Sequence, residues 1–212
     1  MGIYIEAISL YILLFLSGSI TQISGTAADF SAAAGIIKIL LYIVPSLALI
    51  LYLALKTQKP ENGILKPGKK DLLSGLITFP CLVITGFIMA FLPSFFNKTA
   101  IQITLVVPSS VMGWVILCLV SVLSAYLEES YFRFYILSKR KEFNLSKTSA
   151  LTLSVLLFSI CHIYMGPWGF FNAVISGTFL GFMFLRYNSL HGIAIAHGLY
   201  NIAVYVIYAL VN

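Results

Sequence analysis

The stretch Glu128-Glu129-Ser130-Tyr131-Phe132-Arg133 is a polar interruption in an apolar part of the chain. It lies between two apolar runs, residues 111–127 and 134–137. Three ionisable side chains within six residues of such a segment are costly in lipid, by about 3 kcal/mol each, so they must face protein or a water-filled cavity. We interpret this stretch as part of a functional site.

Helical spacing divides the three charged side chains of this stretch. Glu129 and Arg133 are four residues apart, so they share one helix face in the order that favours an ion pair. Glu128 is rotated by about 100° from Glu129 and is left to meet a group on another helix. The alternative is that the three charges only neutralise one another or mark the end of a helix near the headgroups.

The composition is typical of an integral membrane protein. Hydrophobic residues make up 60% of the 212 residues and charged residues only 9%, whereas about 25% of a soluble domain is charged. The net charge of +6 does not indicate nucleic-acid binding, because most basic residues lie in short connections between apolar runs. This distribution is the one that orients a membrane protein.

The hydrophobic pattern predicts an all-α bundle of seven membrane helices, or eight if one segment before Pro108 is broken. A membrane helix needs about 20 mainly apolar residues. The predicted helices are residues 3–20, 35–55, 72–92, 110–137, 148–162, 170–185 and 190–210. We expect a single membrane domain over residues 1–212, with the polar motifs in a catalytic half at about 108–210.

Basic residues predict the orientation of the chain. Of its 13 Lys and Arg, ten follow the second, fourth and sixth predicted helices. They are Lys56, Lys59, Lys66, Lys69, Lys70, Lys139, Arg140, Lys141, Lys147 and Arg186. The positive-inside rule then puts the N-terminus in the cytoplasm and the C-terminus outside, most simply in the plasma membrane.

Two further motifs supply partners for Glu128. Phe158 and His162 are four residues apart in the fifth predicted helix, as are His197 and Asn201 in the seventh. A rise of about 1.5 Å per residue puts Glu128, His162, His197 and Asn201 at similar depths near the middle of the bilayer. We expect the four side chains to meet in one cavity.

This set of residues suits the hydrolysis of an amide bond. A carboxylate in a low-dielectric cavity can take a proton from water, and an imidazole can hold that water or pass a proton to the leaving amine. A second His with an Asn one turn later offers N–H donors where negative charge develops on a carbonyl oxygen. No Ser is placed as a nucleophile, and Cys161 points away from its neighbour His162 on a helix.

A metal site is the rival interpretation of the same residues. Two His and one Glu with an open position form a catalytic zinc pattern, for which Glu128, His162 and His197 would be the ligands. The three cysteines, Cys81, Cys118 and Cys161, lack metal-ligand spacing. The hydrolytic mechanism above needs no cofactor, and Zn²⁺ stays open as an alternative.

The three motifs together resemble the signature of the CPBP (Abi) family of intramembrane endopeptidases, which includes type II CAAX prenyl proteases and bacteriocin-processing or self-immunity proteins. The motifs are Glu128-Glu129-x-x-x-Arg133, Phe158-x-x-x-His162 and His197-x-x-x-Asn201, over residues 121–205. The resemblance implies that Glu128 is the water-activating base with His162 as its partner, that His197 and Asn201 bind the oxyanion, and that Glu129 and Arg133 support them. The family has also been labelled metalloprotease.

The resemblance implies a peptide or protein substrate within the lipid bilayer. Prenylated CAAX proteins, peptide pheromones, bacteriocin precursors and membrane-protein segments are the candidates, and residues 1–110 are expected to hold substrate selection. Two other functions stay open: a non-catalytic immunity or regulatory protein, and a proton-coupled transporter that uses Glu128 and His197 as a relay. The absence of a sequence repeat argues against the transporter.

Overall fold

The computed structural model describes residues 2–16, 31–57, 66–92, 95 and 105–211. These residues form seven helices in chain order, with no strand among them. Helix α1 is Gly2–Leu16, α2 is 32–57, α3 is Lys69–Phe91, α4 is Val111–Lys141, α5 is Lys147–Ile160, α6 is Gly166–Tyr187 and α7 is Leu190–Val211. The predicted all-α class is confirmed, and the seven helices among the described residues agree roughly with the predicted seven or eight.

Five of the seven helices are long and apolar enough to cross a membrane. They are α2, α3, α4, α6 with the short turn before it, and α7. Helices α1 and α5 are apolar but shorter, within the described part of the chain. The predicted first helix extended to residue 20, and residues 17–20 lie outside the described residues. So do Asp29, the middle of the basic loop at 58–65, and the connection at Asn97 and Lys98.

Helix α4 occupies the centre of the fold, and α2, α5 and α7 all pack against it. Helix α7 also packs along α3, and α6 lies between α3 and α5. Ser110 begins α4 as its N-cap, accepting a hydrogen bond from the backbone N–H of Gly113 at 3.1 Å. The polar motifs of α4, α5 and α7 therefore come from helices that are neighbours in space.

A π-helical segment, Ser130–Tyr135, interrupts α4 directly after the two glutamates. All six of its residues are buried. A π segment adds a residue to one turn and is frequent at functional sites. The sequence analysis predicted one regular helix over 110–137, and this change of helical phase is a correction to it.

The boundary between α5 and α6 also differs from the expected one. The stretch Gly166-Pro167-Trp168-Gly169 was expected to separate two helices, with the second starting at Phe170. Instead α6 begins at Gly166 and includes Pro167 in its first turn. Proline is tolerated there because the first N–H groups of a helix have no partner within the helix. The separation comes earlier, since α5 ends at Ile160 and His162 lies in the turn that follows.

Candidate active site

Glu129 is the best-connected carboxylate of the site. Its side chain is fully buried, and its Oε2 lies 3.2 Å from Nε of Arg133, so the ion pair predicted from the spacing is present. Its Oε1 lies 2.9 Å from Nδ1 of His197 on α7. A carboxylate with two charged or protonated partners has little capacity left to act as a base. Glu129 therefore joins α4 to α7.

Arg133 is held by contacts from two other helices. Its guanidinium carbon lies 4.5 Å from the centre of the Phe158 ring, and Nη2 donates to the carbonyl oxygen of Gly177 at 3.2 Å. A side chain at Gly177 would bring its Cβ to 2.9 Å from Cδ1 of Phe158. The glycine thus lets the backbone of α6 approach α4 and α5 closely.

His197 lies between the two glutamates of α4. Because the Glu129 carboxylate only accepts hydrogen bonds, Nδ1 of His197 must carry a proton and donate it. The other ring nitrogen, Nε2, lies 4.0 Å from Oε2 of Glu128. This distance is too long for a direct hydrogen bond, so Nε2 is left to interact with a bound group.

Glu128 is the accessible carboxylate of the pair. Its side chain is 23% exposed, although its Oε2 is itself buried and has no hydrogen-bond partner in the described part of the chain. Besides His197, its charge acts on four side chains outside α4. These are Lys38 and Tyr42 of α2, His162, and Tyr164 in the turn before α6.

His162 faces the same carboxylate from the turn after α5. Its Nδ1 lies 2.8 Å from the carbonyl oxygen of Phe158, and since a carbonyl only accepts, this nitrogen carries the proton. In the neutral ring Nε2 is then an acceptor. Phe158 packs against both imidazoles, with ring centres 4.5 Å from His162 and 6.0 Å from His197.

Asn201 is placed only by its position on α7, one turn beyond His197. It is half-buried, and its side chain forms no hydrogen bond with another described residue. The structure thus gathers Glu128, Glu129, Arg133, Phe158, His162 and His197 by direct contact or electrostatic proximity. Asn201 shares the face of His197 without such a contact.

The sequence analysis missed the residues that α2 and the turn before α6 contribute. Lys38 and Tyr42 lie on α2, and Tyr164 follows His162 by two residues. A signal for Lys38 was available, because it is the one charged residue between positions 32 and 55. It also missed the bond between Glu129 and His197, which depends on how α4 and α7 are rotated.

The predicted metal ligands are not arranged as a metal site. Among the described residues, no three His, Cys, Asp or Glu side chains lie close enough together to hold a metal ion. Both imidazoles keep Nε2 for another partner, since His162 uses Nδ1 for a carbonyl and His197 uses Nδ1 for Glu129, and metal-binding histidines share this arrangement. As placed here, Glu128, His162 and His197 depart from a zinc site in their spacing and not in the chemistry of their donor atoms.

The fold and the site define the chain as an integral membrane protein whose helices enclose a carboxylate and imidazole centre. Residues 108–203 match the family model described as "Type II CAAX prenyl endopeptidase Rce1-like". This match is consistent with the CPBP resemblance of the three motifs and supports a protease of the CAAX type. No curated protein and no solved structure matches the chain.

Proposed function

We propose that this chain is an intramembrane endopeptidase that hydrolyses a peptide bond with water activated by Glu128. The observation that carries the proposal is the contrast between the two glutamates. Glu129 is fully buried and engaged by Arg133 and His197, whereas the Glu128 side chain is 23% exposed and Nε2 of His197 is 4.0 Å away, too far for a hydrogen bond. A general base needs a carboxylate that water can reach and that no cation already holds.

In the first step, the Glu128 carboxylate takes one proton from water. The hydroxide oxygen bonds to the carbonyl carbon of the scissile peptide, and the carbonyl electron pair moves to its oxygen. His162 lies within electrostatic reach of Glu128, and its unprotonated Nε2 would hold the same water. The proton is then passed to the amide nitrogen as the C–N bond breaks, which releases an amine and a carboxylic acid.

The negative oxygen of the intermediate needs donors, which we assign to His197 and Asn201. Because Nδ1–H of His197 is bound to Glu129, its Nε2 donates only if the ring is a doubly protonated imidazolium. The carboxylates of Glu128 and Glu129 on either side would stabilise that charge. The amide of Asn201 lies one turn farther along the same face and would be the second donor.

The substrates we propose are C-terminally prenylated CAAX proteins where the host makes them. In a bacterium, peptide pheromones, bacteriocin precursors or membrane-protein segments take their place. The matched family supports the CAAX type of cleavage, and a site within the membrane suits a lipid-anchored substrate. We further propose that the site opens to the cytoplasmic side, in agreement with the basic loops.

Replacing Glu128 with Gln tests this function. The peptides and protein termini of cells that express the wild type, Glu128→Gln or Glu142→Gln are compared after equal accumulation of the three proteins is verified. Glu142 is a control outside the site, exposed in the connection after α4 and 3.9 Å from Lys139. We expect a new terminus with the wild type and Glu142→Gln and none with Glu128→Gln, a loss of at least about 100-fold for a general base.

If Glu128→Gln produces the same termini as the wild type, the catalytic assignment is wrong. Retention of an immunity phenotype by that variant, with no difference in termini, would favour a non-catalytic binding protein. Transport that depends on a proton gradient, without peptide cleavage, would favour the transporter.

A further inference from the structure

Lys38 is a charged residue in the membrane that the catalytic proposal does not use. It lies within α2, and the membrane span Ala32–Lys56 contains no other charged residue before its last position. The Lys38 side chain is exposed, and no described residue forms an ion pair or hydrogen bond with it. A lysine in a membrane span is costly, so it is by default a candidate for a functional site.

The packing of α2 on α4 gives the height of Lys38 relative to Glu128. A Cβ at Gly35 would lie 2.2 Å from Cγ2 of Ile116, so these two positions are level. The first part of α2 packs on α4 and the last part on the π segment of α4, so the two helices are parallel. Lys38 is therefore level with about residue 119, some 13 Å along the axis from Glu128.

This separation is similar to the length of a short peptide. Three extended residues span at most about 10 to 11 Å. The flexible lysine side chain covers part of the remaining distance, and the charge of Glu128 acts on Lys38 across the intervening space. Lys38 and the basic loops lie on opposite sides of Glu128. A substrate chain that enters from the side of the basic loops therefore reaches Glu128 before Lys38.

We infer that Lys38 binds the C-terminal carboxylate of the substrate, about three residues beyond the bond cleaved at Glu128. The inference rests on the proposed function and deepens it. A chain that enters the membrane end-first carries its terminal negative charge to the deepest point, where the ammonium of Lys38 would neutralise it. The enzyme would then select free C-termini and reject internal segments, and α2 supplies the selection.

The test uses two probes that differ only in terminal charge. Both are S-farnesylated peptides with three residues after the modified cysteine, one with a free C-terminal carboxylate and the other with a carboxamide. The full-length enzyme is assayed as wild type, Lys38→Met, Lys38→Arg and Lys56→Met. Lys56 is an exposed lysine at the opposite end of the same span and serves as the matched control.

We expect the wild type and Lys56→Met to cleave the acid about 10- to 100-fold better than the amide in kcat/KM, mainly through KM, as for loss of one charged hydrogen bond. Lys38→Met should lose this preference, so that its ratio of acid to amide cleavage falls toward one. Lys38→Arg should retain most of the preference. Helix content by circular dichroism and gel filtration identify any variant that does not fold.

Two results overturn the inference alone: a wild type that cleaves both probes equally, or a folded Lys38→Met that keeps the ratio of acid to amide. If Lys38→Met does not fold, the inference is judged from the ratio of acid to amide cleavage in the wild type and in Lys38→Arg. If the wild type cleaves neither probe, the proposed cleavage of prenylated peptides fails, and the inference fails with it. If Lys38→Met lowers both rates equally, Lys38 supports the site without reading the terminus, which also overturns the inference.

Discussion

At the scale of single residues, the ion pair of Glu129 and Arg133 illustrates how charge is tolerated inside the membrane. Both side chains are fully buried, and each has a further partner, His197 for Glu129 and the Gly177 carbonyl for Arg133. Desolvating two charges is costly, and removing one partner leaves the other buried and uncompensated. The pair therefore constrains which substitutions the site tolerates.

We predict that Arg133→Met destabilises the protein by about 3 to 5 kcal/mol, because the Glu129 carboxylate is left without its cation. The double variant Glu129→Gln with Arg133→Met should recover a large part of this loss, since it removes both charges. Unfolding in mixed micelles, followed by circular dichroism, measures both. A double variant that is less stable than Arg133→Met would contradict the argument.

The residues of the site differ in how well the sequence predicts them. Glu129 and Arg133 are partners within one helix, so their contact follows from local geometry alone. The bond from His197 to Glu129 joins positions 68 residues apart and depends on the rotation of two helices. Spacing within each helix paired His197 with Asn201, and it gave Glu129 only one partner, Arg133. Lys38 was overlooked because it is isolated in sequence, although its position in a membrane span was itself a signal.

At the scale of helices, the position of the site depends on how closely α6 approaches α4 and α5. The sequence analysis predicted helix types and most boundaries correctly because length and hydropathy determine them. It did not predict the π segment of α4 or the start of α6 at Gly166, because both depend on backbone hydrogen bonding rather than on composition. Gly166 has a φ of 74°, a left-handed conformation that favours glycine, and it allows α6 to start immediately after the short turn.

We predict that Gly177→Ala lowers both stability and activity. The added Cβ would lie 2.9 Å from Phe158 and 3.4 Å from Nη2 of Arg133. Overpacking of this kind costs about 1 to 3 kcal/mol. Because Phe158 also contacts His162 and His197, we expect kcat to fall about tenfold or more through their displacement.

The control for Gly177→Ala is Gly68→Ala. A Cβ at Gly68 would come no closer than 4.0 Å to its nearest neighbour, a backbone oxygen, and the backbone there is extended, with a φ of −167°. The rate of peptide cleavage and the unfolding midpoint are measured for both variants. Equal effects of the two substitutions would show that Gly177 has no special part in positioning the site.

At the scale of the whole molecule, helices α1 and α2 pack against the part of the chain that carries the candidate site. Tyr131 and Tyr135 of the π segment donate to the backbone oxygen of Ala7 at 2.7 Å and to Glu6 at 2.6 Å. Lys139, almost fully buried, lies 3.7 Å from the same glutamate. Helix α1, which precedes the matched residues, thus holds the π segment on one side, while α2 adds Lys38 and Tyr42 beside Glu128.

Orientation in the membrane decides which compartment supplies the substrate, and we predict that the N-terminus and the loop at Arg140 and Lys141 are cytoplasmic. An odd number of crossings then puts the C-terminus outside. Epitope tags after Lys141 and after the last residue should differ in intact cells, with only the C-terminal tag accessible to antibody or protease. Cell lysis is the control, because it should expose both tags. If the tag after Lys141 is the accessible one, the proposed cytoplasmic opening is wrong, and substrates would reach Glu128 from the opposite side of the membrane.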